Sequence, residues 1–289
     1  MKNLFTTFVC MTTLLLPAMA QQGQEGAGKP APKAAAEAVA KPRSKPVVSE
    51  PARVALAGAK ELAVAVRGLR GPERSKALEA AATAYDKVAA DFAAEPWVAA
   101  TAAFTAAETW RQQGSLALAE KGFLLAAQMD AERFAQRGLL GAADMQRRQK
   151  RYEEAMATYQ KGAAIDPGSS RAQDARLWQA RMLHDSERLD EAIAAYQSAL
   201  ESAHAGAQTI DVCNWLAIAW IAKGDFDAAA HAIDHAEQSV ATLDDEDPIV
   251  LERLKKSLEL MPAKRSLQRA RDKRSQAGKD AVGLDNGKQ

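Results

Sequence analysis

The sequence predicts an all-α solenoid of stacked helical units, and three observations carry that prediction. A phrase running from Tyr152 through Ala155, Tyr159 and Gly162 to Pro167 returns in weaker copies at 114–126, 188–200 and 224–236. The aligned alanines Ala119, Ala155, Ala192 and Ala229 are spaced by 36, 37 and 37 residues. A period of that size marks units that stack on their neighbours rather than fold around one closed core. The apolar fraction of 47% is dominated by alanine, with only 6% aromatic residues. Alanine is the best helix former and small enough for close helix packing. Finally, no stretch shows the alternation of β-branched residues expected of strands.

The elements follow in order. Residues 1–20 have the build of a signal peptide, with Lys2, an uncharged run from Leu4 to Leu16, and small residues at Ala18 and Ala20. The run is too short to span a bilayer as a mature helix. Cys10 lacks the preceding small residues of a lipoprotein site. The expectation is an exported protein, periplasmic in a bacterium or secreted, with no integral span after cleavage. Residues 21–52 read as a disordered spacer of Ala, Pro and Lys, with prolines at 30, 32, 42, 46 and 51. From 53 to 262 the pattern is helical. Helices are expected at 53–69 and 73–94, then in pairs at 97–113 with 116–130, 133–149 with 152–165, 169–186 with 189–204, and 208–223 with 226–241. A last helix at 247–260 reads as a cap. The breaks fall at Gly71-Pro72, Gly114, Asp166-Pro167-Gly168 and Gly224, where glycine permits a turn and proline cannot continue a helix. Residues 263–289, with Lys264, Arg265, Arg269, Arg271, Lys273 and Arg274, read as a basic disordered tail.

Small residues recur at two points of each second helix: Ala119 with Ala126, Ala155 with Gly162, Ala192 with Ala199, and Ala229 with Ala236. Phe123, Tyr159, Tyr196 and Ile233 stand between them. First helices carry Ala107, Ala143, Ala180 and Ala217, followed three residues later by Trp110, Leu183 and Trp220, with Gln146 as the exception. This pattern resembles the tetratricopeptide repeat, with the glycine-marked Sel1-like repeat as a close cousin. The resemblance covers 97–241 and extends to 53–94, where Ala81, Tyr85 and Val88 fit a second helix. It implies a right-handed superhelix of about four to five helix–turn–helix units with a C-terminal capping helix.

Composition and motifs exclude much chemistry. The 38 basic and 37 acidic residues nearly cancel, so there is no global push toward nucleic acid. After signal cleavage a single cysteine, Cys213, remains among Val212, Trp215 and Leu216, which reads as a buried thiol rather than a disulfide scaffold. There is no phosphate loop, nucleophile elbow or paired-cysteine metal site. His231 and His235 share a helical face at zinc-binding spacing, but Ala232 stands where a metalloprotease carries glutamate. They read as solvent-facing, and no cofactor, metal or catalytic residue is assigned. A metal-dependent enzyme centred on them is the competing reading. A further one is an envelope tether whose basic ends contact cell-wall or lipid anions.

The resemblance also implies that first helices line a concave groove where a peptide or partner helix docks. Its register places Arg137, Leu140, Asp144, Arg147 and Arg148 there from one unit, Asp174, Leu177, Arg181 and His184 from the next, and Asn214 from a third. An arginine cluster of this kind can grip a carboxylate bidentately. The lysine–asparagine clamp of chaperone-binding relatives is absent. Trp110 and Trp220 fall at core positions, whereas Trp178 and Trp215 suit either the core or the groove. The function expected is a non-enzymatic scaffold that holds a protein partner.

Overall fold

The computed structural model describes residues 46–204, 206–243 and 246–285. Among them, twelve α-helices follow one another with no strand. The first pair is α1 (Glu50–Ala65) and α2 (Gly71–Asp91), followed by α3 (Pro96–Gln113) with α4 (Leu116–Met129) and α5 (Ala131–Arg148) with α6 (Tyr152–Ile165). Then come α7 (Ser170–Asp185) with α8 (Leu189–Glu201), α9 (Ala207–Lys223) with α10 (Phe226–Ala241), and finally α11 (Pro248–Glu259) and α12 (Pro262–Asp285). The eleven expected helices are all present, with ends shifted by at most four residues. The signal segment 1–20 and spacer residues 21–45 lie outside the described residues. The spacer's last three positions, 50–52, instead open α1, where Ser49 caps the helix by accepting the Ala52 N–H and Ala52 is buried.

Each helix from α1 to α10 packs on the next in sequence. In addition α3 touches α5, α5 touches α7, and α7 touches α9. Contact along that odd-numbered layer makes it the tighter, inner side of the stack. The sequence explains the closeness. Ala107, Ala143, Ala180 and Ala217 on first helices, and Ala119, Ala155, Ala192 and Ala229 on second helices, are all fully buried at crossings. Phe123, Tyr159, Tyr196 and Ile233 fill the intervening space. At the α4–α5 crossing a side chain is not tolerated at all: a Cβ on Gly138 would sit 2.5 Å from the Phe123 carbonyl oxygen. The buried core accordingly forms three successive clusters along the chain, as nearest-neighbour stacking requires.

The turn inside each unit is built the same way four times. Gly114, Lys150, Glu187 and Gly224 all take a left-handed conformation. The next residue's N–H then reaches back to close the helix end: Ser115 to the Trp110 carbonyl, Arg151 to Gln146, Arg188 to Leu183 and Asp225 to Trp220, each at 3.0 Å. Gln146, the exception in the first-helix pattern, is buried and donates to Glu120 at 2.9 Å. Gln149 and Arg151 donate to the other Glu120 oxygen, so a polar anchor replaces an apolar one between α4 and α5.

The C-terminal end differs from expectation. The segment read as a disordered tail from 263 forms α12, and its residues 286–289 lie outside the described residues. The reason is a narrow apolar stripe, Met261, Ala263 and Leu267, that is buried against α9 and α10 beneath a basic exterior. The expected cap, α11, buries only Leu254 and Leu258. Closure of the stack is therefore shared, with α12 covering α9 and α10. No helix among the described residues is long and apolar enough to cross a membrane.

Candidate functional site

Positions 137, 140, 144, 147 and 148 recur on one face of α5, and 174, 177, 178 and 181 do so on α7. Because α3, α5 and α7 touch in the inner layer, these faces adjoin. They enclose an open cavity of about 530 Å³. Its floor is apolar and aromatic: Phe104 from α3, Leu140 from α5, Tyr159 from α6, and Ala175 with Trp178 from α7. Its rim carries Glu108, Arg137, Asp144, Arg171 and Asp174. Of the residues expected at the groove, Arg137, Leu140, Asp144 and Asp174 meet here.

The arginines lie over aromatic rings. Arg137 lies 4.5 Å from the Phe104 ring centre and 5.5 Å from that of Phe134. Further along, Arg147 sits 3.9 Å from the Trp178 ring, Arg181 sits 4.0 Å from Trp178 and 3.9 Å from Trp215. A cation–π contact of this kind contributes about 0.5–2 kcal/mol per pair. Trp178 and Trp215, which suited either core or groove, thus stand half-buried as plates of a cation–π ladder. Burial pulls the Arg181 guanidinium below its ordinary value, and it pushes the Tyr159 phenol up to about 12. The carboxyls of Asp174 and Asp211 are raised, in both cases chiefly by burial.

Several expected groove residues have other employment. Asp144 accepts from Arg147 at 2.5 Å and from the Arg148 Nε at 2.8 Å; the carboxylate that these two arginines grip is their own helix's. Leu177 packs toward the Tyr196 core, and His184 meets the Tyr196 ring edge-on at 6.5 Å. Asn214 is a correction. It is only 9% exposed, and its side-chain oxygen accepts the Ala263 N–H at 3.0 Å, capping α12 rather than facing a partner. By contrast, Arg137 and Arg181 have no acid within ion-pair distance among the described residues. The register did hold the signal for two residues it was not used to find. Phe104 and Glu108 stand 36 residues before Leu140 and Asp144, in the same positions of the preceding unit.

His231 and His235 are exposed on α10. No group of three potential metal ligands occurs among the described residues. Cys213 is buried and free, and burial pushes its thiol up to about 12.

A profile of the tetratricopeptide repeat matches residues 137–169, which hold most of α5 and all of α6. The match covers one two-helix unit, and the same unit recurs along the chain, so the fold is that of a stack of tetratricopeptide-like repeats. Among solved structures, it is similar to a MamA double mutant designated RS-1 ArsTM, with a TM-score of 0.51 at 14% identity, covering 69% of this chain and 100% of that one. It is likewise similar to MamA residues 41 to the end from Desulfovibrio magneticus RS-1, with a TM-score of 0.50 at 15% identity and the same coverage. At such identities the likeness is one of fold. No curated protein matches the sequence.

Proposed function

We propose that this protein is a non-enzymatic scaffold that seats a partner peptide or helix on its first-helix face. The observation that carries the reading is the cavity spanning α3, α5 and α7, with its aromatic floor and charged rim. An apolar floor supplies the area that a partner's anchor side chain buries, and the rim orients it. The tetratricopeptide class supports the same reading, since the resemblance implies docking on first helices. The signal-like segment at 1–20 supports, as part of the same proposal, a location in a bacterial envelope outside the cytoplasm.

The rim provides the test. Arg171→Glu alters an exposed charge that makes no ion pair among the described residues, so its thermal unfolding should stay unchanged. Arg137→Glu also gives up the Phe104 and Phe134 contacts, about 0.5–2 kcal/mol each, and should unfold at a lower temperature while remaining folded in the assay. Recovery of the native partner by pull-down from the source cells should fall at least tenfold, as expected when a few kcal/mol of rim contact turn repulsive. Undiminished recovery with both variants would place binding on another face. Stoichiometric zinc in the purified protein, lost in a His231→Ala, His235→Ala variant, would instead favour the metal-dependent enzyme.

A further inference from the structure

We propose that the C-terminal end of the solenoid docks on an anionic lipid surface. Two stripes carry this. On α12, Arg265, Arg269 and Lys273 stand at i, i+4 and i+8, on the side away from buried Ala263 and Leu267, and all three are exposed. None has an acid within ion-pair distance among the described residues. The one acid beside them, Asp272, accepts from Gln268 at 2.8 Å. Two other cations of the same helix are paired, Lys264 with Glu237 and Arg271 with Asp227. The charge left uncompensated on α12 thus lies along its outward side, on Arg265, Arg269 and Lys273.

The second stripe is on α11. Ile249, Arg253, Lys256 and Leu260 recur at i, i+4, i+7 and i+11, opposite the buried Leu254 and Leu258. Ile249 is 61% exposed and Leu260 59%. Large aliphatic side chains therefore stand in solvent beside two further unpaired cations. The helices meet at buried Met261, so both stripes belong to one end of the molecule. A polyanionic polymer would use the cations and leave the aliphatic residues idle. An anionic bilayer uses both, with the cations at the headgroups and the aliphatic side chains at the acyl boundary.

Flotation of the full chain with vesicles tests this, using phosphatidylcholine alone against a mixture with phosphatidylglycerol across a salt series. Binding should require the anionic lipid and weaken steeply with salt. The triple variant R265E, R269E, K273E should lose roughly tenfold or more of that binding, given a substantial contribution from each basic residue. A double variant I249S, L260S should bind more weakly at every salt concentration while keeping the salt dependence. The apolar run at 4–16 is the same in every variant, so differences among the variants report the C-terminal end. Equal flotation with neutral and anionic vesicles, or undiminished anionic binding by the triple variant, would overturn the proposal. So would salt-sensitive binding to isolated cell walls or duplex DNA with none to vesicles, which would assign the cations to a polymer.

Discussion

At the residue scale, the turn positions show what repetition does and does not preserve. The left-handed site is glycine at 114 and 224 but Lys150 and Glu187 in the central units. A side chain there costs roughly 1–2 kcal/mol in backbone strain, partly offset by glycine's greater freedom when unfolded. Lys150→Gly and Glu187→Gly should each stabilise by about 0.5–1 kcal/mol, measured by urea unfolding. Loss of stability in both would mean that the side chains make contacts worth more than the strain. A second prediction follows from Cys213 and Tyr159, whose folded values near 12 lie above their ordinary 9.0 and 10.0. Raised values mean that stability is fully present below pH 9 and falls as the pH climbs toward 12, because the unfolded chain loses its protons first. Cys213→Ala should make that alkaline decline of the urea midpoint shallower; an unchanged slope would show that the thiol does not couple to folding. The buried alanines were legible because each crossing repeats the same steric demand. Asn214 was not, since its partner Ala263 lies 49 residues away in a segment that reads as tail.

At the element scale, close approach of neighbouring helices is the central requirement, and it can be tested where there is no room. Gly138→Ala would drive a methyl group against the Phe123 carbonyl and Ala127, forcing α4 and α5 apart. A loss of about 1–3 kcal/mol is expected. Gly168→Ala, with nothing within 4 Å of the new methyl, should change little. Equal effects would undo the packing register. Ala155→Leu should cost a similar 1–3 kcal/mol by overpacking its crossing. Helix positions were readable because glycine, proline and the small-residue period act locally. The fate of α12 was not. Its composition is that of a solvated chain, and only the surface left open on α9 and α10 makes Met261, Ala263 and Leu267 enough to fold it. For the same reason the sequence named α11 as the cap and missed the helix that does most of the covering.

At the scale of the whole molecule, a stack of nearest-neighbour contacts leaves one continuous face of first helices, the face proposed to seat a partner. The register found the α5 and α7 contributions to that face, while Tyr159 escaped because its second-helix position marks it for packing. It does pack, and its ring also forms part of the cavity floor. The arginine-on-aromatic ladder was equally invisible, because it depends on side chains from adjacent units meeting in space. Docking on the first-helix face can be read by site-specific photo-crosslinking in the source cells, with a benzophenone side chain at Leu140 on the cavity floor or at Leu118 on the exposed side of α4. A discrete partner adduct is expected from position 140, reduced by Arg137→Glu and absent from position 118. Equal adducts at both positions, or an adduct from 118 alone, would contradict docking on that face.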